Sequence, residues 1–370
     1  MQGEKSLVYF ADFRASSGRT IFDKIGELVE LLNIGEVYKK GQLIGVKLHF
    51  GEKGNTAFVR PQFVRFIVDK IKETGASPFL TDTNTLYVGK RTNTVSHTRC
   101  AIENGFGLES VGAPIVIADG LRGESAVDTR VDGEICKDVS IAREVVSADG
   151  LFVVTHFKCH ELTGFGGSLK NVGMGCASRA GKLMQHSGNP PRVDPEGCTT
   201  CGACALICPT DAIDIGLSAV INDDLCIGCS HCIAACPEGT IKVQWSSEAG
   251  KVQKKMIEHV EGALKGKRGK VFYINFINQV SPLCDCYGHT DAPIVPDIGI
   301  LVSSDIVAID QASVDLVNGE EGLPNTELKS GKEAGGDKFR GVHPSINWEL
   351  QLEYAEERGL GSRDYTLEKI

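Results

Sequence analysis

No stretch of this sequence approaches the roughly 20 consecutive apolar residues of a membrane-spanning helix, so no bilayer span is expected. Positive charge is in deficit: Lys plus Arg is 39 against 48 Asp plus Glu, a net charge of −9. That balance argues against nucleic acid or an anionic membrane as partner, because either favours a basic face. The opening residues, Met1 to Asp12, lack the basic stretch, apolar run and small-residue cleavage site of a secretory signal. Apolar residues are not scarce at 42%, which excludes a disordered chain. The expectation is a soluble, cytoplasmic protein whose 370 residues make about two ordinary domains.

Two residue types are in excess. Glycine is 43 of 370, well above the usual fraction of about 7%. Cysteine is 14, too many for a chain in a reducing compartment unless thiols bind metal. A disulfide scaffold fits poorly, since those are short secreted chains.

The spacing of the thiols is specific. Cys198, Cys201, Cys204 and Cys208 precede Pro209, and Cys226, Cys229, Cys232 and Cys236 precede Pro237. Both runs read C-x2-C-x2-C-x3-C-P, the second repeating the first at an offset of 28. Paired C-x2-C units can hold zinc, but zinc does not require this run twice. The pattern resembles the bacterial ferredoxins, in which the fourth cysteine of each run serves the other cluster. That resemblance implies two [4Fe–4S] clusters, one on Cys198, Cys201, Cys204 and Cys236, the other on Cys226, Cys229, Cys232 and Cys208. Each proline removes a backbone donor and turns the chain toward the partner cluster. Gly202, Ala203, Gly228 and Ser230 are small enough to let N–H groups approach cluster sulfurs.

The flanks read as α/β. Strands are predicted at Leu43–Phe50, Ser77–Thr81, Ile115–Ala118, Leu151–Thr155, Val271–Ile277 and Ile298–Ser303. Helical spacing appears in Phe63, Phe66, Ile67 and Ile71 after Pro61, and in Val307, Ala308, Ala312 and Leu316. Alternating strands and helices favour a mostly parallel sheet. Strand Val271–Ile277 has no partner of its own, so the predicted architecture is one α/β domain split by an insertion. Its parts are residues 1–189, a ferredoxin-like α+β unit at 190–246 leaving near Trp245-Ser246-Ser247, and a completing part at 247–370. Ligands gather at the carboxyl ends of such strands. Three polar segments follow strands there: Gly51–Asn55, Asp82–Thr85 and the run from His156 to Gly175.

The segment from His156 to Gly175 has glycines at 164, 166, 167, 173 and 175, which permit close backbone approach to a ligand. It lacks the G-x4-G-K-[ST] run of a Walker loop. His160, Lys170 and His186 around Gly-Phe-Gly-Gly-Ser-Leu-Lys resemble the central signature of the lactate racemase family, and Val59-Arg60-Pro61 its Thr-Arg-Pro segment. That resemblance implies a tethering lysine at Lys170, an acid–base group at His160 and a metal ligand at His186, with a nickel pincer nucleotide as cofactor. Gly164, Gly166, Gly167, Asn171 and Arg60 would then contact the nucleotide-like cofactor. The family's second acid–base histidine has no counterpart here, because Ser77–Thr81 leads into Asp82-Thr83-Asn84-Thr85-Leu86-Tyr87. Over nearly its full length the chain is similar to the domain-of-unknown-function family numbered 362. The match runs through Lys47–Asn55, Thr81–Tyr87, Gly164–Gly175 and Asp297–Asp305; members of that family commonly carry an embedded ferredoxin.

Among the remaining thiols, Cys100, Cys136, Cys159 and Cys176 read as small buried residues. Cys284-Asp285-Cys286 with His289 reads as a further metal site, a redox dithiol or a loop coincidence. His49, His97 and His156 read as structural histidines, and Glu52, Asp82 and Asp305 as caps or turn residues. Three functions follow: iron–sulfur electron transfer to a redox partner protein, a metal- or pincer-cofactor enzyme using Lys170, His160 and His186, and delivery of a metal or cluster through Cys284 and Cys286. The acidic balance suits docking to a basic patch on a redox partner.

Overall fold

The computed structural model describes residues 5–87, 89–187, 189–244 and 248–370. One sheet of eight strands organises the chain. In chain order they are β1 (Ser6–Asp12), β2 (Leu43–Lys47), β3 (Ser77–Asp82), β4 (Ile115–Ile117), β5 (Gly150–His156), β6 (Val271–Ile277), β7 (Gly299–Ser303) and β8 (Tyr365–Lys369). Across the sheet the order is β8-β1-β7-β6-β5-β2-β3-β4. Only β7 runs against its neighbours, so the sheet is mostly parallel as the alternating pattern predicts.

The helices used below are α1 (Ile21–Leu31), α2 (Pro61–Glu73), α3 (Ser168–Gly173), α4 (Arg179–His186), α5 (Ala249–Leu264) and α6 (Ile306–Gly319). Strand β5, Gly-Leu-Phe-Val-Val-Thr-His, is buried at every position. Its side chains alternate between two cores, as a period of two requires. Phe152 and Val154 join Ile25, Leu28, Ile67 and Ile71 of α1 and α2 on one face. Leu151 and Val153 join Val252, Met256, Val307 and Ala312 of α5 and α6 on the other. Each such apolar side chain stabilises the fold by about 1.5–3 kcal/mol, which fixes β5 in the middle of the sheet. Helix α2 starts at Pro61, where the missing N–H costs nothing, and helix α6 starts at Asp305, whose carboxylate accepts the N–H groups of Val307 and Ala308 at 2.8 and 3.0 Å.

One predicted strand is shorter than its apolar run. Leu43–Phe50 ends at Lys47, because the His49 ring accepts the Gly51 N–H at 3.0 Å and Gly51 takes φ of +77°. The chain thereby leaves the sheet just where it reaches the site. The first and last strands, β1 and β8, have no counterpart in the predicted set. They pair with each other in parallel, Val8 opposite Leu367.

Between α4 and α5 the chain leaves the sheet. It forms two small antiparallel pairs, Arg192–Val193 with Ile241–Lys242 and Ile213–Ile215 with Ala219–Ile221. Two short helices, Ala203–Leu206 and His231–Ala235, lie between them in sequence order with the cysteine runs. This segment has its own apolar cluster of Cys204, Ile213, Ala219, Ile221, Cys232, Ile233 and Ile241, joined by Leu86 and Leu183 from the α/β part. The expected exit at Trp245-Ser246-Ser247 lies outside the described residues. Beyond it β6 returns to pair with β5 in parallel, Phe272 opposite Phe152. Among the described residues, no helix is long and apolar enough to cross a membrane.

Candidate functional site

The parallel strands β2, β3, β5 and β6 all end on one edge of the sheet, and a cavity of about 540 Å³ opens there. Its volume falls within the range of small-molecule sites. Strand ends supply Lys47, Asp82 and Thr83, and Val154, Thr155 and His156. The glycine-rich segment closes one side: Lys158–His160 pairs with Gly164–Gly166, and α3 follows. Helix α3 stays in place because buried Asp310 accepts the N–H groups of Ser168 and Leu169, both at 2.8 Å. Helix α4 adds Lys182 and His186, and the turn after β6 adds Cys284 and Cys286.

Charge in the lining is predominantly positive. Lys47, Arg91, Lys158, Lys170 and Lys182 face Asp82 and Glu161. At the β3 end, Lys47 Nζ lies 3.0 Å from Asp82 and also donates to Asn171 Oδ1 at 2.8 Å. Arg91 reaches Asp82 at 3.6 Å and Glu52 at 3.3 Å. Burial alone pushes the Asp82 carboxyl up, but Lys47, His49, His97 and Arg91 outweigh it and hold the group well below the usual carboxylate range. His97, 3.8 Å from Asp82, is driven down to about 3 by burial and is neutral.

A second buried cluster stands under the β5 end. Asp285 accepts from His156 Nδ1 at 2.9 Å and Lys158 Nζ at 3.0 Å, and its carboxyl too is held well below its ordinary value, burial being outweighed by His156 and Lys158. Lys182 is pushed by burial down to about 8, opposed by Asp119, and donates to Thr83 Oγ1.

Five side chains named in the sequence reading, Lys170, Cys284, Cys286, His160 and His186, converge between these clusters. Lys170 Nζ lies 3.1 Å from Cys284 Sγ. Burial disfavours its ammonium, yet Cys284 and Cys286 outweigh burial and hold the lysine above its ordinary value. Cys284 is held well below the usual thiol value by the hydrogen bond from Cys286, with Lys170 and His160 adding to it against burial. His160 Nδ1 accepts the N–H groups of Leu162 and Thr163 at 3.2 and 3.3 Å, so the neutral ring carries its proton on Nε2. His186, at the end of α4, is pushed by burial down to about 3, with His160 and Lys170 adding to the effect.

Gly166, Gly167 and Asn171 line the cavity together with His160, Lys170, His186, Cys284 and Cys286. Three expected contacts do not. Gly164 lies outside the lining: it takes φ of +76° in a turn against Trp348, where a Cβ would collide. Arg60 is exposed at the start of α2 with its guanidinium over the Phe63 ring, 5.6 Å from the centroid. His289 is exposed, its ring 5.7 Å from that of Tyr287 and outside the lining, so it does not join Cys284 and Cys286. Among the described residues, no group of three or more His, Cys, Asp and Glu is set to share a single metal ion. The sequence reading passed over Lys47, Arg91, Lys158 and Lys182 as site residues. The available signal was a lysine closing the apolar run Leu-Ile-Gly-Val-Lys47, where solvent exposure is not an option.

The insert holds two smaller cavities. Cys198, Cys201, Cys204 and Cys236 line one, and Cys208, Cys226, Cys229 and Cys232 the other. Backbone N–H groups already point at sulfur: Ala212 to Cys208 at 3.3 Å, Ala219 to Cys198 at 3.4 Å and Thr240 to Cys236 at 3.4 Å. Such donors suit thiolates that ligate iron. Thr240 Oγ1 adds a contact to Cys236 at 3.2 Å. The insert is seated on Leu86 and Leu183, and Leu183 stands beside Lys182 on α4.

A family model described as "Domain of unknown function (DUF362)" matches residues 44–315. Polyferredoxin protein MvhB of Methanothermobacter marburgensis is 40% identical over 67 residues, 18% of this chain and 16% of that protein. The chain thus spans about a sixth of that relative. Ferredoxin-1 of Rhodobacter capsulatus is 42% identical over 52 residues, 12% of this chain and 80% of that protein. Among solved structures, the lactate racemase apoprotein from Thermoanaerobacterium thermosaccharolyticum aligns at 14% identity with a TM-score of 0.39, covering 73% of this chain and 50% of that one.

Proposed function

The chain belongs to the DUF362 family, and we propose that it is an iron–sulfur electron-transfer protein with two [4Fe–4S] clusters in the insert and an anionic ligand in the α/β cavity. The observation that carries this reading is the seating of a ferredoxin-type segment, with two four-cysteine cavities, on Leu86 and Leu183 beside the positive cavity. Cys198, Cys201, Cys204 and Cys236 would hold one cluster, and Cys226, Cys229, Cys232 and Cys208 the other. When bound, each cluster supplies transfer of one electron at a time. The chain's own residues do the rest. The N–H groups of Ala212, Ala219 and Thr240 stabilise negative charge on the sulfurs they face. Leu86 and Leu183 join the insert's apolar cluster, and Leu86 also lines the cavity. Lys158, Lys170 and Lys182 hold the anionic part of the ligand, a nucleotide-like group by the size of the cavity. The His160 Nε2–H is placed to donate a hydrogen bond to a reduced, negatively charged ligand. An acidic exterior favours a redox partner with a basic docking face, and free thiols in this number favour the reducing cytoplasm.

A second reading, an enzyme working through a metal or pincer cofactor on Lys170, His160 and His186, is favoured by the gathering of those three side chains in one cavity. Lys170→Ala separates the two. Electron transfer predicts unchanged cluster EPR and unchanged reduction of an external one-electron acceptor, with pyrophosphate affinity by calorimetry falling tenfold or more. Loss of external reduction with intact clusters would overturn the first reading in favour of the second.

A further inference from the structure

The turn that follows β6 is pinned from four sides. Tyr287 N–H donates to the Cys284 carbonyl at 3.1 Å, closing a four-residue turn. The Asp285 carbonyl accepts the Glu52 N–H at 2.9 Å, and Tyr87 Oη donates to the Cys286 carbonyl at 3.2 Å. The Asp285 carboxylate is engaged by His156 and Lys158, which turns that side chain away from its neighbours. Cys284 and Cys286 both line the cavity, with Lys170 Nζ 3.1 Å from Cys284 Sγ and His160 in the same lining. The four other cysteines outside the insert, Cys100, Cys136, Cys159 and Cys176, are buried and off the lining.

We infer that Cys284 and Cys286 form a redox-active dithiol whose substrate is a small anionic disulfide bound in the cavity, held by Lys170. The Cys284 thiolate attacks one sulfur of the substrate, so that a protein–substrate disulfide forms, the substrate S–S bond breaks and the first thiolate leaves, taking its proton from the Lys170 ammonium that stood 3.1 Å from Cys284. Cys286 then gives its proton to the second leaving sulfur while its own sulfur bonds to Cys284. The products are two substrate thiols and a Cys284–Cys286 disulfide, with two electrons and two protons moved. A thiolate paired with a resolving thiol and a cation is the arrangement such exchange needs. Resetting the pair takes two electrons and two protons. The clusters supply the electrons one at a time from an external one-electron donor, and for this return step alone the inference rests on the electron-transfer reading.

The test uses the cluster-bearing full chain without oxygen, with dithiodipropionate as a dianionic disulfide and cystamine as a dicationic one. Alkylation and peptide mass mapping are expected to find an internal Cys284–Cys286 disulfide, with dithiodipropionate reacting at least tenfold faster than cystamine. Cys286→Ser is expected to stop at a mixed disulfide on Cys284, and Lys170→Met to erase the charge preference. Separate adducts on Cys284 and Cys286, or equal rates for both disulfides, would overturn the inference. Cluster EPR on the same samples keeps the two readings apart. Missing cluster signals with intact thiol chemistry would count against the clusters alone, and intact clusters without the internal disulfide would count against the dithiol alone.

Discussion

Cys236→Ala is expected to abolish the same low-temperature EPR signal as Cys198→Ala, and Cys208→Ala the same signal as Cys226→Ala. Iron per chain should fall from about eight to about four in the complete loss of one cluster. The expectation runs against chain order, since Cys208 is near Cys204 in sequence and Cys236 near Cys232. It follows from the folded insert, where Cys236 lines the cavity of Cys198, Cys201 and Cys204, and Cys208 lines that of Cys226, Cys229 and Cys232. The turns at Pro209 and Pro237 send each fourth cysteine across. A variant set that instead sorted Cys208 with Cys198 would show that each run serves its own cluster. None of these changes touches the eight-stranded sheet, so circular dichroism of the α/β part should persist.

Asp82→Ala is expected to cost about 3–5 kcal/mol, read as a fall in the urea midpoint, because it leaves buried cations without their partner. Asp82 lies 3.0 Å from Lys47 and 3.6 Å from Arg91, all three nearly fully buried. An exposed ion pair would be worth far less, typically under about 1 kcal/mol. The pH dependence has a defined sign. The carboxyl is held below its ordinary value of 3.8 in the folded state. Its contribution is therefore fully present above that ordinary value and is lost as pH falls below it. Wild-type protein should lose stability on acidification from pH 4 downward more steeply than Asp82→Ala. Equal acid sensitivity would mean that Asp82 carries no charge that matters to the fold.

What could be read from the sequence divides along physical lines. The proposed cluster ligation uses fixed thiol spacing within one short segment, so Cys198 through Cys236 can be named as candidate ligands without a fold. Strands β5 and β6 are legible because a strand buried on both faces is apolar at nearly every position. The convergence of His160, Lys170 and His186 follows from their place after β5, at the edge where ligands gather. Lys47 escapes such reasoning because its meaning depends on Asp82, which arrives from another strand. Strand β8 escapes because Tyr-Thr-Leu-Glu-Lys sits at the sheet edge and is largely exposed. His289 misleads because proximity in sequence is not proximity of rings. Its carbonyl accepts from Asn55 at 3.4 Å, which sets the backbone, and the ring turns outward to Tyr287. Arg60 reads like a ligand contact beside Pro61, yet capping geometry at the start of α2 sends it over Phe63.

The account stands on iron–sulfur chemistry in the insert, and its most direct test is the iron and acid-labile sulfide content of protein purified without oxygen from its native host. The prediction is about eight iron and about eight sulfide per chain. Stoichiometric zinc without sulfide, or iron near four in fully anaerobic material, would contradict it.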